Sequence, residues 1–279
     1  MTANTDLLTW MRTQCAEYEF DVRGVFRKDS KLAGWPLTAD SPEDLELLLA
    51  SGGHLLPLPK EPAALANIVE VSLVDFLMAR LDAEPHAAGA RGTERSYPDL
   101  EVSGPRFGGE YHAVDVKVAK RADEPAKRNS RFRERTQSRI TLYTGNTYFK
   151  FPHLTWPGNR RPFGAYVSHL DILAVYTLVD APERIADLEL LVHPSWQIAS
   201  RERSSTTREY IGAVDGIAEL RAGSGVFDTE EQFYKYWRGF PFKVSKHVQS
   251  IQGRLLREQG EELARLRAAQ QAAHLGPRT

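Results

Sequence analysis

One cysteine stands among 279 residues. Cys15 has no partner for an internal disulfide, which excludes a disulfide-stapled scaffold and points to a reducing compartment. There is no Cys pair and no H-E-x-x-H, so zinc chemistry lacks a ligand pattern, and the eight histidines are scattered. No G-x-S-x-G turn is present to carry a serine hydrolase. The N-terminus, M-T-A-N-T-D-L-L-T-W, has no basic region ahead of a long apolar run, and no segment reads as a membrane span. An excess of either charge is also missing. With 36 basic and 37 acidic residues the net charge is -1, so net charge alone gives no sign of a nucleic-acid partner. What remains is a chain with 42% hydrophobic residues, enough for a sizeable core in one large domain or two small ones.

Periodicity supplies the coarse layout. Thr5 and Asp6 can cap a helix running to about Tyr18. Residues 20–26 read as a strand with a glycine break. S-P-E-D at 41–44 starts a helix over 44–50, which Gly52-Gly53 ends. The proline-rich stretch 54–62 reads as a loop. Leu65, Ile68, Val69, Leu73, Phe76, Leu77 and Leu81 recur at helical spacing and predict a helix over 63–81. Residues 140–151 look like a strand pair. Residues 167–179 look like a buried strand, though a helix also fits that run. Strands are expected at 188–192, 196–199 and 211–214. D-T-E-E at 228–231 resembles a capping box for a helix through Trp237, and a last helix covers about 243–273.

The chemistry concentrates at residues 96–120, S-Y-P-D-L-E-V-S-G-P-R-F-G-G-E-Y-H-A-V-D-V-K-V-A-K. Two extended runs flank a turn dense in glycine and proline. In the second run Val114, Val116 and Val118 share one face, while Ala113, Asp115, Lys117 and Ala119 share the other. A tight hairpin brings Asp99, at the start of the first run, close to Asp115 and Lys117. Two carboxylates offer the hard oxygens that Mg²⁺ prefers, and the ion commonly bridges such groups to a phosphate. A nearby ammonium helps to neutralise that phosphate. The same residues also fit an ordinary solvated hairpin. Glu70 stands at the edge of the apolar face of the 63–81 helix. Spacing does not decide whether it is a solvated glutamate or a further acid aimed at the hairpin.

Charge distribution says more than net charge. Lys117, Lys120, Arg121, Lys127, Arg128, Arg131, Arg133, Arg135 and Arg139 form a basic run opposed only by Asp123, Glu124 and Glu134. Beside a phosphate-handling site, such a run suits duplex DNA, which proteins bind largely by neutralising phosphates. Phe132 is its sole aromatic, so no ladder for stacking single-stranded bases is present. The polar stretch 201–209, R-E-R-S-S-T-T-R-E, lies between expected strands. It can enter a DNA groove or simply face solvent.

Taken together, these blocks resemble the EcoRV-type restriction endonucleases of the PD-(D/E)xK nuclease superfamily. The resemblance rests on F-D-V-R-G-V-F at 20–26, I-V-E at 68–70, Y-P-D at 97–99, V-D-V-K at 114–117, W-Q-I-A at 196–199 and G-V-F-D-T-E-E-Q-F-Y-K-Y-W-R at 225–238, in this order across most of the chain. It implies an α/β fold, a mixed central β-sheet flanked by helices with a restriction-endonuclease-like core, in a single domain. Within that domain it implies a dimerisation part near 20–35, a catalytic core of about 63–145, a DNA-recognition part of about 180–240 and the C-terminal helix. It also implies a Mg²⁺-dependent homodimer on double-stranded DNA, with Asp99 and Asp115 as metal ligands, Lys117 assisting the attacking water and Glu70 beside them. Lys120, Arg121 and Arg139 would contact phosphates, and Ser204, Ser205, Thr206, Thr207 and Arg208 would read bases. Dimer symmetry implies a palindromic target, of six base pairs with blunt ends by the resemblance. A cognate DNA methyltransferase would be a functional rather than physical partner in the bacterial cytoplasm. The 204–209 loop departs from the glycine- and asparagine-rich family pattern, and Arg208 can pair with guanine, so a different target with G·C nearer the centre is expected. A repair-type nicking nuclease and a non-catalytic DNA-binding protein are the competing readings.

Overall fold

The computed structural model describes residues 3–22, 24–28, 41–43, 46, 53–93, 96–123, 126–128 and 131–274. Residues 29–35 of the expected dimerisation part lie outside the described residues. So does the expected helix over 44–50, apart from residue 46.

In chain order, helix α1 (Ala3–Ala16) precedes strands β1 (Gly24–Lys28) and β2 (Gly53–Pro57), which pair antiparallel. The sequence pattern placed the first strand four residues early and read 54–62 as a loop. Pairing of β2 with β1 overrides the proline punctuation, because Pro57 sits at the strand end, where a missing N–H is least disruptive. Helix α2 (Pro62–Ala83) follows, close to its expected bounds, with proline at its first turn. It is the one helix among the described residues long and apolar enough to cross a membrane. However, Leu65, Ile68, Val69, Leu73, Val74, Leu77 and Leu81 are all buried in the molecule's own core.

Strands β3 (Ala88–Arg91), β4 (Leu100–Ser103) and β5 (His112–Lys120) form an antiparallel run, as expected for the hairpin. Small strands β6 (Ala126–Arg128) and β7 (Arg131–Arg133) pair with each other, and β8 (Thr141–Thr144) follows. Long strand β9 (Ser168–Leu178) runs parallel to β5, and β10 (Ile185–Pro194) turns back antiparallel to β9. The central sheet therefore has the mixed order β10-β9-β5-β4-β3. A one-turn helix α3 (Ser195–Ile198) leads into β11 (Ala199–Arg203) and β12 (Tyr210–Ala213), which join β8 in a three-stranded sheet. Helices α4 (Ile217–Ala222), α5 (Glu230–Gly239) and α6 (Lys246–His274) complete the chain.

Two local expectations are corrected. Residues 140–151 are not a hairpin: β8 pairs with distant β12, and Gly145–Phe149 is a wide helical turn. Phe242 packs on Gly145 so closely that a Cβ there would have no room. Trp196 belongs to α3 rather than a strand, because Pro194 ends β10 and Ser195 is held by the Tyr143 hydroxyl. Helix α4 has no cap signature at its start and ends on Gly223 in the left-handed region, φ 59, a common glycine stop. In α5 the cap is as expected: Thr229 Oγ1 accepts from Gln232 N at 3.2 Å.

The central sheet is covered on both faces. Val114, Val116, Leu170 and Ile172 pack under α1 and α2. Ala113, Ala119, Leu173 and Val175 face a second layer rich in aromatics, including Tyr97, Tyr143, Phe149, Phe163, Phe233 and Trp237. Both faces of β5 and β9 are covered over most of their length, which is why residues 170–175 of β9 read as an apolar run with one exception, Asp171.

Candidate active site

Asp99 ends the segment entering β4, just after the cis Tyr97–Pro98 peptide. Tyr97 packs against the rings of both Tyr148 and Phe163, which also touch each other, and bonds His169 Nδ1 through its hydroxyl at 2.5 Å. That anchoring sets the position of the next two residues. The β4–β5 register pairs Leu100 with Val114, so one step further along Asp99 stands opposite Asp115. Asp99 Oδ2 accepts the Val116 N–H at 2.7 Å. Asp115 is 5% exposed, and its Oδ2 carries the Lys117 ammonium in an ion pair. The hairpin thus brings together the three residues expected to meet. They stand on the face that the aromatic layer partly covers, where an open pocket reaches them.

Glu70 reaches the same place from α2. Burial raises its carboxyl pKa, with Lys117 opposing and Asp115 reinforcing that shift. Glu70 is half-buried and within electrostatic reach of both Lys117 and Asp115. Burial, followed by the negative charge of Asp115, pushes the Asp99 carboxyl well above the usual carboxylate range. For Lys117 burial acts downward, but the carboxylates of Asp115, Asp99 and Asp171 outweigh it and hold the ammonium firmly charged.

Two open pockets meet at Lys117 and Thr141. One, of about 480 Å³, contains Asp99, Asp115, Tyr148, Asn159 and Tyr210, with Val248 and Ile251 of α6 as part of its wall. The other, of about 500 Å³, contains Glu70, Lys120, Gln137, Ser138 and Arg139. The donor set suits a hard divalent cation. Two convergent carboxylates leave room for water and phosphate oxygens, and the surrounding acids outnumber the single ammonium. The described residues contain no ready-made cage of three or more His, Cys, Asp or Glu side chains.

The expected DNA-contacting residues divide. Lys120 borders the second pocket and pairs with exposed Asp123 at 2.8 Å. Arg139 borders the same pocket and is held by Glu202 at 2.7 Å and Ser200 at 3.0 Å. Arg121 is a correction: its guanidinium bonds the Val175 and Asp187 carbonyls and Glu189, bracing β5 against β9 and β10 instead of standing free for phosphate. The 204–209 loop is a tight connection between β11 and β12. Ser204 Oγ bonds Thr141 Oγ1 at 2.6 Å, Ser205 Oγ accepts the Thr207 and Arg208 N–H groups, and Arg203 pairs with Glu209 at 2.8 Å across its base. Thr206 and Thr207 are exposed, and Arg208 leans on Tyr210, a wall of the first pocket. This loop therefore stands next to the first pocket.

One residue escaped the sequence pattern. The β5–β9 register places Asp171 beside Asp115, on the same face. The only signal was a lone acid inside the apolar run H-L-D-I-L at 169–173.

The geometry accords with the comparisons. The family model for restriction endonuclease EcoRV matches residues 33–257, most of the chain. The type II restriction enzyme EcoRV of Escherichia coli is 20% identical over 210 residues, covering 69% of this chain and 80% of that enzyme. The outer part of α6, past residue 257, lies beyond the family match. With the α/β fold, the mixed sheet and the Asp-Asp-Lys hairpin in place, the chain belongs to the EcoRV family of restriction endonucleases, nucleases that cleave DNA.

Proposed function

We propose that the protein is a Mg²⁺-dependent type II site-specific deoxyribonuclease, a homodimer that cuts a short palindrome in duplex DNA. The observation that carries this reading is the meeting of Asp99, Asp115 and Lys117 at the junction of two open pockets. Asp99 and Asp115 would hold the ion. When bound, the ion supplies Lewis-acid neutralisation of the charge developing on the scissile phosphate. The remaining work falls to the chain's own residues. Lys117 keeps a positive charge in the site and donates a hydrogen bond toward the attacking water or the phosphate. Glu70, facing Lys117 from α2, helps to hold that ammonium in place. In the hydrolysis one water O–P bond forms and one ester P–O bond breaks, the water's proton passing to solvent or a phosphate oxygen and the leaving oxygen taking a proton from solvent, while the aromatic layer keeps bulk water away from the buried side of the row.

Lys120 and Arg139 would steer the DNA backbone along the second pocket, and Arg208 would read a base from the neighbouring loop. Two copies related by a twofold axis would each present this surface to one half-site. The target is proposed as six base pairs, cut to blunt ends, different from that of EcoRV and with G·C nearer its centre. The enzyme would act in the bacterial cytoplasm beside a cognate methyltransferase that protects the host's own sites. Sequencing the ends of fragments from a Mg²⁺ digest tests the reading. Blunt ends sharing one palindromic hexamer support it. Cleavage at the EcoRV sequence overturns the altered target, and single-strand nicks alone favour a repair-type nuclease.

A further inference from the structure

Three neighbouring strands carry an aspartate at the same level. Asp99 enters β4, Asp115 lies on β5 and Asp171 lies on β9, and the two registers align them in one row. Asp171 is the deepest of the three, 0% exposed. Neither of its carboxylate oxygens has a hydrogen-bond partner among the described residues. The Ser195 hydroxyl lies near enough to influence it, but that hydroxyl accepts from Tyr143 and is directed to the His169 carbonyl. A buried, unpartnered carboxyl group is costly to ionise, and a cation beside it offsets that cost. The cation acting on Asp171 is Lys117, two residues beyond Asp115 on the same face of β5.

Lys117 sits on Asp115 in this structure. It cannot stay on that oxygen while the same oxygen ligates a divalent cation, because the two positive charges would lie in contact. Its stem is fixed on β5, so its alternatives are the acids around it: Asp99 and Asp171 on the same face, and Glu70 from α2, which is only half-buried. Asp99 is engaged by the Val116 N–H and belongs to the metal pair. Asp171 has both oxygens open. We propose that Asp171 is a positioning residue for Lys117, the second seat that keeps the ammonium in the site once Asp115 takes up its metal. The proposal rests on the reading of Asp99 and Asp115 as metal ligands.

The test compares wild type, Asp171→Asn, Lys117→Met and the double variant. Four quantities are measured: single-turnover cleavage at saturating Mg²⁺, DNA affinity, Ca²⁺ affinity by calorimetry on the DNA complex, and thermal midpoint. Asp171→Asn should slow cleavage by about tenfold or more, with DNA and Ca²⁺ affinities within about twofold of wild type and a thermal midpoint equal or higher. In the Lys117→Met background the same change should have no further effect on rate, because the group it positions is gone. Should Asp171→Asn not fold, Asp171→Ala takes its place in the cycle. Wild-type cleavage by the Asp171 variant overturns the proposal. So does a slowing that persists in full beside Lys117→Met. A loss of Ca²⁺ affinity of about tenfold would make Asp171 a metal ligand instead, and a lowered midpoint with parallel loss of activity would make it structural. If Lys117→Met itself cleaves like wild type, the catalytic assignment under Proposed function fails, and this inference fails with it.

Discussion

Cation-free protein should lose stability as pH rises. Neighbouring strands lie about 4.8 Å apart, so adjacent carboxylates in the Asp99–Asp115–Asp171 row stand about 5 Å from one another. At an effective dielectric of about 20, two unit charges at that distance repel by about 3 kcal/mol. Lys117 offsets part of this, and two such contacts leave on the order of 3 kcal/mol unrelieved when all three are ionised. The folded protein escapes the repulsion by keeping protons. Burial first and then the Asp115 charge raise the carboxyls of Asp99 and Asp171 above their ordinary value of 3.8, and burial raises that of Glu70 above 4.5. With folded pKa above unfolded pKa, the native state binds more protons in the window between the two. Unfolding then releases protons, and stability falls with rising pH by about 1.4 kcal/mol per pH unit for each proton retained. The loss should be visible between about pH 6 and pH 9, where ordinary carboxylates no longer titrate. Denaturant titrations in EDTA across that range measure it, and the same titrations in millimolar Ca²⁺ should show the loss reduced or abolished. Stability that is level or rising from pH 6 to pH 9 in EDTA, or unaffected by Ca²⁺ at pH 9, would refute the reasoning.

Arg208→Ala should relax discrimination at one base-pair position by about 1–3 kcal/mol, read as cleavage of singly altered sites, with little change in the salt dependence of binding. Lys120→Ala should lower the slope of log affinity against log salt by about 1. Arg121→Ala should leave that slope unchanged and instead cost about 1–3 kcal/mol in denaturation, since it strips the Glu189 carboxylate and two carbonyls of their donor. Leu173→Ala, in the middle of β9 and 0% exposed, should cost about 2–5 kcal/mol by leaving a cavity between the sheet and the aromatic layer.

The hairpin was legible in the sequence because each of its features is local. Alternation of Val114, Val116 and Val118, punctuation by glycine and proline, and acids spaced to meet across a turn all lie within residues 96–120. Helices α2 and α5 were legible for the same reason, through apolar spacing and capping residues. Asp171 was not, because its role depends on a parallel pairing with β5 across a long crossover, and a single acid in an apolar strand carries no register. Pairing of β8 with β12 and of β2 with β1 hides in the same way: partners far apart in sequence decide it against local glycine and proline signals. Charge clusters were the least legible. Arg121 and Lys120 are neighbours in one basic run, yet Arg121 turns inward to Glu189 while Lys120 borders the open pocket.

The central claim is a metal-dependent double-strand cut made by the Asp99–Asp115–Lys117 site. Incubating purified protein with long unmethylated duplex DNA, in Mg²⁺ and in EDTA, beside Asp115→Ala, tests it most directly. The account predicts discrete fragments in Mg²⁺ only, absent with the variant. Fragments formed in EDTA, or formed equally by Asp115→Ala, would contradict it.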